Sequence, residues 1–172
     1  MKTCLLCFAL ILISPSTRAE VLHLSESGFI LQNEFTTQAS ADRVWDGLIN
    51  HIGDWWPADH TWFGKAENLS IEPVAGGCFC EIDGDKQAEH MRISFVYPGK
   101  HLRMTGGLGP LQGMGLYGSL DWQIAPTDSG TRVTLKYSVQ GYNPNGFTDL
   151  APIVDKVQGL QLGGLEEFLK LK

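Results

Sequence analysis

Hydrophobic and polar positions fall into two periods along this chain. Residues 27 to 37, SGFILQNEFTT, place Phe29, Leu31, Asn33 and Phe35 on one face and Gln32, Glu34 and Thr36 on the other, the alternation of a half-buried strand. Ser40 then opens SADRVWDGLINHI, where Ala41, Val44, Trp45, Leu48 and Ile52 recur at helical spacing behind an N-cap serine. From residue 69, runs such as LSIEPV, CFCEI, AEHMRISFVY and HLRMTG are separated by Gly76-Gly77, Asp83-Gly84-Asp85 and Pro98-Gly99. This is the signature of an antiparallel meander. Strict alternation puts Glu89, Met91, Ile93, Phe95 and Tyr97 on the core side of the longest run, and His90, Arg92, Ser94 and Val96 on the wet side.

Two more one-sided strands follow. In one, Leu116, Leu120, Trp122 and Ile124 alternate with polar residues; in the other, Val133, Leu135, Tyr137 and Val139 do so. The period then changes. Leu150, Ile153, Val154, Val157, Leu160, Leu165, Phe168 and Leu169 mark a long C-terminal helix, weakened intrinsically by Gly159, Gly163 and Gly164. Strand, short helix, meander and long helix predict an α+β fold, in which a curved antiparallel sheet of about six to seven strands wraps the C-terminal helix.

Ahead of this pattern, MKTCLLCFALILISPSTRAE has a basic start, an apolar run from Cys4 to Ile13 and small residues around Ala19. It reads as a secretory signal peptide over residues 1–19, followed by a single exported domain over 20–172, periplasmic or secreted. The apolar run is about half of the roughly 20 residues that a transmembrane helix needs, and no transmembrane segment is expected. The net charge of −6 becomes more negative once Lys2 and Arg18 leave with the leader, which argues against a nucleic-acid partner.

Cys78 and Cys80 form a C-x-C pair. Side chains at i and i+2 of a regular strand share a face but stand too far apart for a disulfide. Two free thiols are the preferred reading, and a locally bulged disulfide the alternative.

The connection GDWWPADHTWFGKAEN carries Trp55, Trp56, Trp62 and Phe63. Four aromatics in one irregular segment either plug the end of a core or line the mouth of an apolar pocket. Gly106 to Ser119, GGLGPLQGMGLYGS, contains G-x-G-x-x-G, but the residues after Gly118 alternate as a strand where a dinucleotide fingerprint needs a helix, and no Lys-Ser or Lys-Thr follows. It is read as a connection between strands, with Leu108, Leu111 and Met114 as an apolar flap at one end of a cavity. His51, Asp54, Asp59 and His60 cluster in sequence without a metal-ligand spacing, so neither metal nor cofactor is expected.

In order, ASADRVWDGLINHIGDWWP, GGCFCEI, SGTRVTLKYSV and a long terminal helix resemble the SRPBCC superfamily, the START-like or helix-grip proteins. The likeness is to the branch akin to the heat-shock ATPase activator and polyketide cyclase-like domains, and GGLGPLQ and GYNPNGFTDLAPIVDKV look like an exported subgroup. The resemblance spans roughly Phe29 to Leu169. It implies a mostly apolar cavity between sheet and helix but no single activity, and Cys78 and Cys80 stand where that family often has basic or bulky residues.

On that basis the leading expectation is a binder of a small apolar or amphipathic ligand. Trp55, Trp56 and Trp62 are expected near the entrance, with Phe79, Glu81, Met91, Phe95, Met104, Trp122 and Tyr137 lining the interior. Because Phe79 and Glu81 share a face, burying the ring carries the carboxylate inward. Glu81 is therefore the candidate acid or base of an alternative cyclase, hydrolase or isomerase, helped by Tyr137 or Asn33, or else a ligand anchor. The plainer reading makes it a structural carboxylate at the rim or paired with Arg103. A protein-interaction module is the third possibility, and no protein partner is named.

Overall fold

The computed structural model describes residues 18–171, and the leader expected over residues 1–19 lies, as far as residue 17, outside the described residues. Eight strands form one antiparallel sheet: β1 (Arg18–Ser25), β2 (Gly28–Thr37), β3 (Leu69–Ile71), β4 (Cys78–Asp83), β5 (Lys86–Tyr97), β6 (His101–Gly106), β7 (Tyr117–Thr127) and β8 (Gly130–Gln140). Their spatial order is β1-β2-β8-β7-β6-β5-β4-β3. The sheet is one strand larger than expected, because Arg18 to Ser25 pairs with β2 as an edge strand, beginning at the expected cleavage site.

Helix α1 (Ala41–Asn50) follows β2, and the Ser40 hydroxyl accepts the Arg43 N–H at 3.2 Å, the N-cap its sequence announces. Helices α2 (Ile52–Trp55) and α3 (Pro110–Gly113) are single turns. Helix α4 (Leu150–Leu171) lies against β1, β2, α1 and α2. Apolar side chains from the inner face of the sheet, α1, α2 and α4 form one continuous core.

Two registers break the alternation of β5. Opposite Phe79 and Cys80, β5 carries Met91 and Glu89 with His90 extra between them. Opposite Met104 and Arg103 it carries Ile93 and Phe95 with Ser94 extra. Each bulge inserts one residue and reverses the facing of everything beyond it. His90 is thereby turned into the core, while Glu89 lies outside, paired with Arg92. Phe95 is 43% exposed and rests on the outer face against His101 and the Arg103 guanidinium, so its assignment to the interior is corrected. Tyr97 is also exposed.

The reading of free thiols is likewise corrected: Cys78 and Cys80 are joined by a disulfide. Their Cα atoms are 5.4 Å apart, within bridging range, and the register break that turns His90 inward falls between Phe79 and Cys80.

Candidate functional site

The helices α1 and α2 fill one end of the space between sheet and α4. Trp55 packs edge-on to Trp122 with ring centroids 6.0 Å apart and donates from Nε1 to the Gly47 carbonyl at 2.9 Å. Trp55, Phe79, Met91, Met104 and Trp122 are therefore solid core and not cavity wall. Gly164 of α4 sits so close to α2 that a Cβ there would lie 2.3 Å from the Trp55 carbonyl oxygen.

At the other end a cavity of about 330 Å³ remains between the aromatic connection, the 108–114 loop and the first half of α4. Trp56, Leu108, Leu111, Leu150, Val154 and Val157 supply most of its apolar wall. Trp62, 53% exposed, stands at the mouth with Met114 and Ile153. The aromatic connection thus serves both purposes: Trp55 plugs the core, whereas Trp56 and Trp62 line the cavity.

The loop is held over the cavity by one hydroxyl. Tyr137 Oη accepts the Leu108 N–H at 2.9 Å and donates to the Gly106 carbonyl at 3.3 Å. Burial pushes this phenol up to about 12, so it stays a donor at physiological pH. Gly118 permits the arrangement, since a Cβ there would come within 2.7 Å of the Tyr137 ring.

Glu81 is 0% exposed, yet it is not part of the cavity wall. Its Oε2 accepts the Trp62 N–H at 2.8 Å and its Oε1 the Phe63 N–H at 2.7 Å, which ties β4 to the aromatic connection. A third partner is the Nε2 of His90, 3.0 Å from Oε2. The carboxylate anchors a loop and a histidine. It pairs with neither of the other suggested groups: Arg103 is bound to Asp121 on the outer face, and Asn33, buried under α4, donates to Asp155 at 3.0 Å.

The polar group that alternation missed is His90. It is 3% exposed, stacks on Phe79 at 5.0 Å and lines the cavity. Beyond Phe79 lies Trp56, edge-on at 5.3 Å. Since the Glu81 carboxylate can only accept, His90 donates from Nε2, and its Nδ1 is left as an acceptor. Desolvation by burial lowers the His90 pKa, outweighing the opposing pull of Glu81, and favours this neutral form. Across the cavity two glutamines take positions on α4 that face inward, and Gln158 donates to Gln161 at 3.0 Å. The apolar Ile153 and Leu160, assigned to the buried stripe by helical spacing, are exposed instead.

Five buried side-chain polar atoms have no partner among the described residues: Asn33 Oδ1, His60 Nδ1, Asn68 Nδ2, His90 Nδ1 and Gln158 Oε1. Three of the five, those of His60, His90 and Gln158, belong to residues of this one cavity. An orphaned buried polar atom costs about 1–3 kcal/mol, so their concentration here marks a place where polar partners are supplied from outside the chain. No group of three metal-type side chains converges among the described residues; His51 pairs with Asp54 and Asp46 on the surface instead.

No protein-family model and no curated protein matches the chain. Solved structures do match in fold. Protein MLL2253 from Mesorhizobium loti is 17% identical with a TM-score of 0.59, covering 83% of this chain and 98% of that one. The Aha1 dimer from Colwellia psychrerythraea is 14% identical with a TM-score of 0.59, covering 81% and 95%. CalU16 from Micromonospora echinospora is 15% identical with a TM-score of 0.54, covering 91% and 85%. At these identities the likeness concerns fold alone. What these structures share with this chain is an α+β fold, with one curved antiparallel sheet and a long C-terminal helix.

Proposed function

We propose that the chain is an exported small-molecule-binding protein of the helix-grip type, akin to the heat-shock ATPase activator and polyketide cyclase-like branch. Its ligand is apolar or amphipathic and lies between the sheet and α4. The observation that carries this reading is the cavity of about 330 Å³, within the roughly 300–1,000 Å³ range of ligand pockets, with an apolar wall and a few convergent polar groups. Export rests on the leader-like sequence of residues 1–19. Native mass spectrometry and thermal shift of delipidated protein against a panel of lipids and aromatic metabolites test the reading. A bound mass with a raised Tm is expected; no adduct and no change in Tm across the panel contradicts it.

A second reading is favoured by the Glu81–His90 pair. A neutral cavity histidine with a carboxylate behind it has the form of a general base and its positioning residue. In that case His90 replaces Glu81 as the acid-base candidate, and Glu81→Gln lowers kcat at temperatures where the variant is still folded.

A further inference from the structure

We infer that the cavity selects neutral aromatic molecules that carry a hydroxyl, and that His90 Nδ1 accepts the hydrogen bond which this hydroxyl donates. This deepens the binding proposal above and rests on it.

Glu81 uses both oxygens to accept backbone N–H groups and also accepts from His90 Nε2. The imidazole therefore has its proton on Nε2, and Nδ1 is a buried acceptor without a partner. Gln158 Nε2 is engaged by Gln161, which leaves Gln158 Oε1 as a second acceptor without a partner. Besides His60 Nδ1, which donates or accepts according to its tautomer, these two acceptors come from opposite walls, β5 and α4. Both require a donor from the ligand. A ligand whose only polar atoms accept, such as an ether or a ketone, leaves them as they are.

Charge narrows the class further. Among the described residues no Lys or Arg lines the cavity, and its one acidic side chain is that of Asp59, exposed at the rim. A carboxylate ligand has no cation to meet there and faces the full cost of desolvation. The rings of Trp56, Trp62 and Tyr137 in the wall favour an aromatic body over an aliphatic chain.

The test is a fluorescence titration of the full chain with 2-naphthol, 2-methoxynaphthalene and 2-naphthoate, which share one ring system. Wild type is expected to bind the naphthol about tenfold more tightly than the ether and the naphthoate most weakly. His90→Phe keeps the ring stacked on Phe79 but removes the acceptor, and is expected to bind naphthol and ether alike. Should His90→Phe fail to fold, His90→Leu, which also lacks the acceptor, is expected to erase the same preference. Equal binding of naphthol and ether by wild type overturns the inference and leaves a binding cavity standing. A naphthol preference that survives both substitutions also overturns it. Absence of binding by all three probes removes the inference together with the binding proposal.

Discussion

Nε2 of His90 lies 3.0 Å from Oε2 of Glu81, and that single contact orders two parts of the protein. It fixes the tautomer of a histidine in the cavity wall, and it completes a carboxylate that also holds the backbone of Trp62 and Phe63. Replacing Glu81 with Gln exchanges one acceptor oxygen for an amide donor and leaves its N–H facing a backbone N–H. The expected loss is about 3 kcal/mol, or a fall in Tm of about 8 °C. Circular-dichroism melting and the accessibility of Trp62 to a quencher measure the two consequences.

The same pair predicts a pH dependence. Burial holds the His90 pKa below its usual value of 6.5, so between that value and the lower folded-state one the unfolded chain binds a proton that the folded chain does not. Stability is then level above about pH 6.5 with respect to this group and falls as the pH drops through that window. Glu81 contacts the ring, Asp59, His60 and Tyr137 share the cavity, and α4 offers only the neutral Gln158 and Gln161 there. The difference in stability between wild type and His90→Phe, followed from pH 8 to pH 5, isolates the contribution of His90. It should shrink as the pH falls.

Two glycines of α4 should respond in opposite ways. A methyl group at Gly164 meets the Trp55 carbonyl oxygen at 2.3 Å, whereas one at Gly163 meets nothing within 4 Å. Gly164→Ala is expected to cost about 2 kcal/mol through displaced backbone. Gly163→Ala should gain up to about 1 kcal/mol from helix propensity. Urea denaturation of both variants checks the pair.

Tyr137→Phe removes the hydroxyl that holds Leu108 and Gly106. The loop above the cavity should open more readily, with faster ligand dissociation in stopped-flow displacement and a stability loss of about 1–2 kcal/mol.

Alkylation of denatured, unreduced protein should leave the peptide containing Cys78 and Cys80 unlabelled, and prior reduction should add two labels to it. Labelling without reduction contradicts the disulfide.

Much of this architecture was legible in the sequence. The alternation in β2 and β8 places Phe29, Leu31, Asn33, Phe35, Val133, Leu135, Tyr137 and Val139 inside, as the structure does, because these central strands pair without a register break. Alternation failed in β5, where two bulges invert facing and nothing local in AEHMRISFVY announces an inserted residue. The cost was the loss of His90 from the candidates and the inclusion of Phe95. The C-terminal helix shows the other kind of failure. Gln158 and Gln161 are buried although polar, since they face a cavity, and a hydrophobic-stripe rule has no place for polar groups on the inward side of a helix. A glutamine pair at i, i+3 on the inward side of an otherwise apolar helix was the one signal that pointed to them.

The proposed binding site is the cavity between β5, β8, the 108–114 loop and α4. Amide chemical-shift mapping by NMR with 2-naphthol tests it most directly. Shifts are expected to concentrate at Trp56, Leu108, Leu111, Val157 and Gln158, with the His90 ring resonances moving alongside. Shifts centred on Phe95 and Tyr97 of the outer face, or none at saturating probe, would contradict it.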